Sequence, residues 1–359
     1  MADNNIQYEE ILKQSVERWD SIAKPISSLG LLEKYVTKIC AISGSPLPCD
    51  ITKKALVIMC ADNGVVEEGV TQTGKEVTRI VAENFAAGRS SVNYMSACAG
   101  VDVYTIDIGM DTDTYPEKQL TINAIIDRKI SRGTRNLARQ PAMSRDECER
   151  AIDTGIAIAG ELKKKGYGII ATGEMGIGNT TPTTILGAHL LDMTAEQATG
   201  RGAGLDNSGL SKKINVVKNT LDRIRTKIYN NKISDIIDII AEAGSYEIAG
   251  MVGIFMGGVK YKIPVVMDGV ISVISALAAT RINPDVEKYS LPSHISEEPL
   301  AVYALKAMNQ EAIIHAHMCL GEGTGAITMF PLLDMAMSVY SNMATFDNLK
   351  IPAYKKENK

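Results

Sequence analysis

The chain has 359 residues, enough for one large domain with a smaller appendage. Its 45% apolar and 22% charged residues are the balance of a globular protein, and only 5% are aromatic, which favours an α/β core over an all-β sandwich. The net charge is −4 with scattered Lys and Arg, so no basic stripe for nucleic acid is present. No apolar run is long enough to span a bilayer, and the polar start Met1–Asn5 does not read as a signal peptide. These features point to a cytoplasmic protein.

In chain order, apolar residues at helical spacing (Ile11, Leu12, Val16, Trp19) predict a helix over Ile6–Trp19. A second helix is predicted over Leu31–Ile42, ended by Ser43-Gly44-Ser45-Pro46. Ala55–Met59 is an unbroken apolar run, the signature of a strand buried on both faces of a parallel sheet. Similar runs at Val101–Ile108, Gly168–Ala171, Pro264–Met267 and Ala312–His317 are predicted as further strands. Helices are predicted between them over Val77–Cys98, Ser144–Lys165, Thr180–Leu191, Ser211–Ile228, Ile233–Ala243 and Glu247–Tyr261. Ser144 with Glu147 reads as a capping box. Strands alternating with helices imply a doubly wound α/β fold. A last helix, Thr328–Met343, is expected to join the N-terminal helices. The expected organisation is a small helical domain from residues 1–50 with 328–359, and a large α/β domain over 51–327.

Open α/β sheets bind ligands at the carboxyl ends of their strands. The segments expected there each pair a carboxylate with glycine: Asp62-Asn63-Gly64, Gly173-Glu174 through Thr181, Asp268-Gly269, and Gly321-Glu322-Gly323. In the second, Gly176 and Gly178 allow close backbone approach, while Asn179, Thr180 and the helix start behind them suit a phosphate. The loop is neither a Walker A motif nor GxGxxG, so neither a nucleoside triphosphate nor a dinucleotide is implied. Gly200–Asp206, including Gly202, with Lys212 and Lys213 beyond it, is a second anion-suited segment. Ser293-His294 offers a third contact point, without the partners of a hydrolase triad.

The six cysteines form no CxxC pair and read as small buried apolar residues. His315 and His317 are candidate metal ligands by type, but no carboxylate or thiol stands at ligand spacing beside them, so no metal site is expected.

Taken in this order, the segments Ala61–Thr78, Gly173–Thr181, Gly200–Asp206, Glu247–Met251, Pro264–Gly269 and Leu320–Ala326 resemble the nicotinate-nucleotide–dimethylbenzimidazole phosphoribosyltransferases. The resemblance runs from about Leu31 onward. It implies a Rossmann-like parallel sheet with a smaller, mainly helical domain, in a homodimer. It implies Glu322 as general base and Glu174 as a second active-site carboxylate. Gly176, Lys213 and Ser293 match phosphate-holding positions, and Thr71, Arg79, Met175 and Leu320 match positions near the aromatic base. Asn63 and Thr73-Gly74 depart from the family's usual residues beside that base. The implied substrates are nicotinate mononucleotide and a benzimidazole-type base, with no metal or redox cofactor. The alternative is one subunit of a heteromeric relative acting on phenolic or other bases; the presence of both glutamates speaks against a non-catalytic subunit.

Overall fold

The computed structural model describes residues 2–354. The first half carries α1 (Ala2–Ser21), α2 (Leu31–Ser43), β1 (Lys54–Ala61), α3 (Glu76–Ala86), α4 (Ser91–Ala99), β2 (Val101–Gly109), β3 (Ile125–Asp127), α5 (Arg145–Lys164) and β4 (Ile169–Met175). The second half carries α6 (Thr180–Leu190), α7 (Ala195–Ala198), α8 (Asn207–Tyr229), α9 (Ile236–Ala243), α10 (Tyr246–Tyr261), β5 (Val265–Met267) and α11 (Val270–Ile282). It ends with α12 (Val286–Tyr289), β6 (Ser290–Pro292), α13 (Leu300–Ala307), α14 (Thr324–Asn342) and α15 (Phe346–Leu349).

The six strands form one sheet in the order β3-β2-β1-β4-β5-β6, every pairing parallel. That is the Rossmann-like order, whose direction reverses between β1 and β4. The unbroken apolar run of β1 is explained by burial on both faces. Ala55, Val57 and Met59 join one core, and Leu56, Ile58 and Cys60 join the other. The first core is closed by α5, α6, α8, α9, α10, α11 and α13. The second is closed by α2, α3, α4 and α14. The first and last long helices meet there: Arg18 donates to Tyr340 O at 2.7 Å, and the Trp19 and Tyr340 rings lie 4.8 Å apart. These helices share a core with Leu56, Ile58 and Val266 of the sheet.

The helices α5 and α10 meet along a seam of glycines. A Cβ on Gly155 would collide with Gly250 O and lie 2.8 Å from Gly253 Cα. Only hydrogen lets the two backbones approach this closely. Ser144 caps α5 as a capping box with Glu147, as its sequence predicts.

Several expectations are corrected. Ala312–His317 is not a strand; it makes a single parallel bridge, His294↔Ile314. The sheet's edge is instead β6, and β3 lies at the other edge. The helix expected over Val77–Cys98 is two helices, because Gly88 takes φ 71° and Ser90 starts α4 with its own capping box. β4 runs through Gly173, Glu174 and Met175, so these residues stand on the strand's end and not in a loop. The helix α11 falls where no helix is expected. Of the cysteines, Cys98 and Cys319 are exposed, not buried.

Candidate active site

A cavity of about 580 Å³ opens at the carboxyl ends of β4 and β5. Glu174, Met175, Gly176, Gly178, Asn179 and Thr180 line it from the end of β4 and the start of α6. Thr71 and its neighbours come from the segment after β1, Gly202 from the loop before α8, and Leu320 and Glu322 from the loop before α14. Ten of the residues singled out from the sequence therefore surround one space: Glu174, Glu322, Gly176, Gly178, Asn179, Thr180, Gly202, Thr71, Met175 and Leu320.

Three do not line it. Arg79 is exposed on α3, with Nε 3.9 Å from Glu83. Ser293 is fully buried and donates to Met267 O at 2.6 Å. Lys213 is fully buried behind the wall. Its Nζ donates to Thr180 Oγ1 at 2.9 Å and to Gly200 O at 3.2 Å, joining the two glycine-rich segments. Asn63 lies beneath the cavity floor, where its Nδ2 donates to Glu247 Oε1 at 2.8 Å. Thr73 does face the cavity.

The loop carrying Glu322 has an unusual backbone. Gly321, Glu322 and Gly323 all have positive φ, at 84°, 64° and 93°. For Glu322 this left-handed conformation costs roughly 1 kcal/mol. The surroundings hold it there. Asp268, at the end of β5, accepts N–H groups from Gly323 at 3.0 Å, Gly325 at 2.8 Å and Ala326 at 3.2 Å. Gly173 lies so close that a Cβ would be 2.7 Å from Glu322 O.

The carboxylates at this end of the sheet are poorly solvated. Burial raises the Glu174 pKa from 4.5 to about 8; the Asn179 amide, which donates to it, works against this shift, and the charges of Asp268, Glu247 and Glu322 add to it. Burial raises the Glu322 carboxyl too, with Asp268 reinforcing the shift. Glu247 sits at the start of α10, fully buried, and is raised to about 7 chiefly by loss of solvent. Gly176 rests directly on it: a Cβ there would be 2.5 Å from Glu247 Oε1 and 2.6 Å from Ala61 O. Burial lowers Lys213 to about 8, while Glu298 opposes the shift.

His294, named in the sequence beside Ser293, lines the cavity beside Gly269 and Gly325. Three positions that shape the site escape the sequence reading. Asp268 stands in a segment recognised only as a carboxylate–glycine pair. Glu247 marks a helix start, where a carboxylate is commonplace. Glu298 accepts the Gly202 N–H at 2.9 Å. None of these roles is visible without the fold, because each joins segments far apart in the chain.

The arrangement offers an anion-suited end, built from the glycine-rich turn, the α6 start and Lys213. It offers the carboxylates of Glu174 and Glu322 beside that turn, together with the apolar side chains of Met175 and Leu320. Such a site can hold a phosphorylated sugar and stabilise positive charge developing on it.

The chain is similar to known proteins over nearly its whole length. A family model described as a phosphoribosyltransferase matches residues 6–351. A nicotinate-nucleotide–dimethylbenzimidazole phosphoribosyltransferase from Acetivibrio thermocellus is 42% identical over 347 residues, 97% of this chain and 95% of that relative. One of the same name from Geobacter metallireducens is 39% identical over 336 residues, 94% of this chain and 92% of its own length. The crystal structure of CobT from Thermus thermophilus superposes with a TM-score of 0.88 at 33% identity, covering 96% of this chain and 99% of that one.

Proposed function

The chain belongs to the nicotinate-nucleotide–dimethylbenzimidazole phosphoribosyltransferase family, and from that premise we propose how its site performs the transfer. The enzyme moves the phosphoribosyl group of nicotinate mononucleotide to 5,6-dimethylbenzimidazole, for the lower nucleotide of a cobamide. One observation carries our assignment of roles: Glu174 and Glu322 face the same cavity from adjacent backbone segments, with the anion-suited turn beside them.

Nicotinate leaves from a cationic pyridinium nitrogen and needs no proton to depart. Positive charge then develops on the ribose, where Glu322 and Asp268 supply a negative field, joined by Glu174 once pH rises past about 8. The base attacks from the opposite face, which gives the α-riboside. Its second nitrogen sheds a proton, and Glu322 accepts it. Gly176, Gly178, Thr180 and Gly202 anchor the phosphate, with Lys213 behind them holding Thr180 and Ser293 supporting the wall; Asn179 orients Glu174. Anchoring the phosphate positions the sugar for attack. Thr71, Met175 and Leu320 contact the aromatic base. Arg79, on the outer surface of α3, reaches the base only if its segment closes over the cavity.

The resemblance further supports a homodimer in the cytoplasm, and no helix among the described residues is long and apolar enough to cross a membrane. Light scattering on the purified protein tests the dimer. The decisive experiment mixes nicotinate mononucleotide with benzimidazoles, adenine and phenol in competition and identifies the riboside and its anomer by NMR. A β-riboside product overturns the inversion. Preferential phenol ribosylation favours the heteromeric relatives' chemistry.

A further inference from the structure

We propose that Glu297, His315 and His317 form a metal-binding site at the rim of the cavity, selective for zinc-like transition ions. The chain bends at Ala316 and His317 takes a left-handed backbone, φ 52°, which folds the two imidazoles toward each other. Their ring centroids lie 4.8 Å apart. The carboxylate missing from the local sequence arrives from another segment: His317 Nδ1 and Glu297 Oε1 are 2.6 Å apart. One donor atom from each of the three residues lies within 4.8 Å of the others.

The backbone fixes this spacing. Ile314 N–H donates to Ser293 O at 3.0 Å, and Ile295 N–H donates to Ile314 O at 2.9 Å. The two ligand-bearing segments are thus tied together immediately before the ligands. Two imidazoles and one carboxylate are a donor set that suits zinc, with a further position open to water. Tetrahedral zinc, with bonds of about 2.0–2.2 Å, separates its donors by about 3.3 Å. Small side-chain rotations bring the three exposed residues to that spacing.

The position gives the site a consequence. Glu297 lines the cavity, and His317 is followed directly by Met318, Cys319 and Leu320, which line it too. An ion held here braces the segment leading to Glu322 against the segment leading to Glu298. The competing account is a solvated His–Glu pair, screened by water, that binds nothing.

The test uses the full chain freed of metal by a chelator and then titrated with Zn²⁺ against a chromophoric chelator. We expect one ion per chain, with a Kd of about 1 μM or tighter. Binding should weaken by about tenfold or more in His315→Ala and in His317→Ala. Added Zn²⁺ should raise the thermal midpoint of the wild type and not of these variants. Cobalt substitution should give visible absorption bands that both variants lose. Absence of stoichiometric binding overturns the proposal. So does undiminished binding in the histidine variants, or binding abolished by Cys319→Ser alone. None of these readouts depends on the transferase reaction, so failure here is separable from failure of the assigned activity.

Discussion

Asp268 accepts the backbone N–H of Gly323 at 3.0 Å, so the residue following Glu322 is tied to the end of β5. The same carboxylate takes two more N–H groups from the start of α14. A helix start and a strand end are thereby locked together around one glutamate, whose own backbone is left-handed.

Replacing Asp268 with Asn exchanges one acceptor oxygen for a donor facing N–H groups. The loop should lose its register. We expect stability to fall by about 1–3 kcal/mol and turnover by about 100-fold, since misplacing a reacting group by 1 Å costs that much. Chemical denaturation and steady-state kinetics measure both. Normal turnover in Asp268→Asn would show that the clamp does not position Glu322.

Glu322→Gln should lower turnover by about 100-fold or more, with little change in affinity for the mononucleotide. Glu174→Gln should be milder at neutral pH. With its pKa held up near 8, Glu174 is largely protonated there, and glutamine imitates that form. The gap between wild type and Glu174→Gln should widen above pH 8. If Glu174→Gln is the more damaged variant at pH 7, the proton acceptor has been misassigned.

Lys213→Ala removes a buried cation that joins Thr180 to Gly200. A lost charge-assisted hydrogen bond of about 1.5–3 kcal/mol corresponds to roughly a 10–100-fold rise in the Michaelis constant for nicotinate mononucleotide. The constant for the aromatic base should stay close to wild type. Equal weakening of both substrates would argue for general collapse of the wall.

Glu247 predicts a pH dependence of stability. Its folded pKa, about 7, lies above the ordinary 4.5. The folded state therefore holds this proton more tightly than the unfolded chain does. The resulting stabilisation is complete below about 4.5 and is lost as pH rises through 7. Glu247→Gln keeps a neutral side chain at every pH. Its thermal midpoint should decline less than that of wild type between pH 5 and pH 8. Parallel declines in the two proteins would remove Glu247 as a source of the effect.

The legibility of the fold follows from what the sequence encodes locally. β1 is readable because burial on both faces writes an unbroken apolar run that begins at Ala55 and is closed off only by Lys54 and Asp62. The capping box of α5 is readable because four adjacent residues contain the whole interaction. β3 and β6 have three residues each, too few for any periodicity. Ala312–His317 looks like a strand because it opens on an apolar run, but its backbone bends at Ala316 and turns left-handed at His317, leaving the single bridge at Ile314. α11 is apolar on every side, so its burial erases the helical period. At the site, residues carried on glycine-rich turns could be named, because the turn itself advertises close approach. Lys213 and Ser293 could be named as contact candidates from their local residues and as phosphate-holding positions by resemblance, yet the fold sets both behind the wall. Asp268 and Glu247 work across the sheet's topology, which no local pattern records.

The glycine seam between α5 and α10 has a reach beyond those two helices. α10 begins at Tyr246, so the depth at which its axis lies also sets the height of Glu247 under Gly176. A single methyl at Gly155 would push α10 outward and retract the support under the glycine-rich turn at Gly176. The helical layer outside the sheet thus holds a remote adjustment for the floor of the cavity.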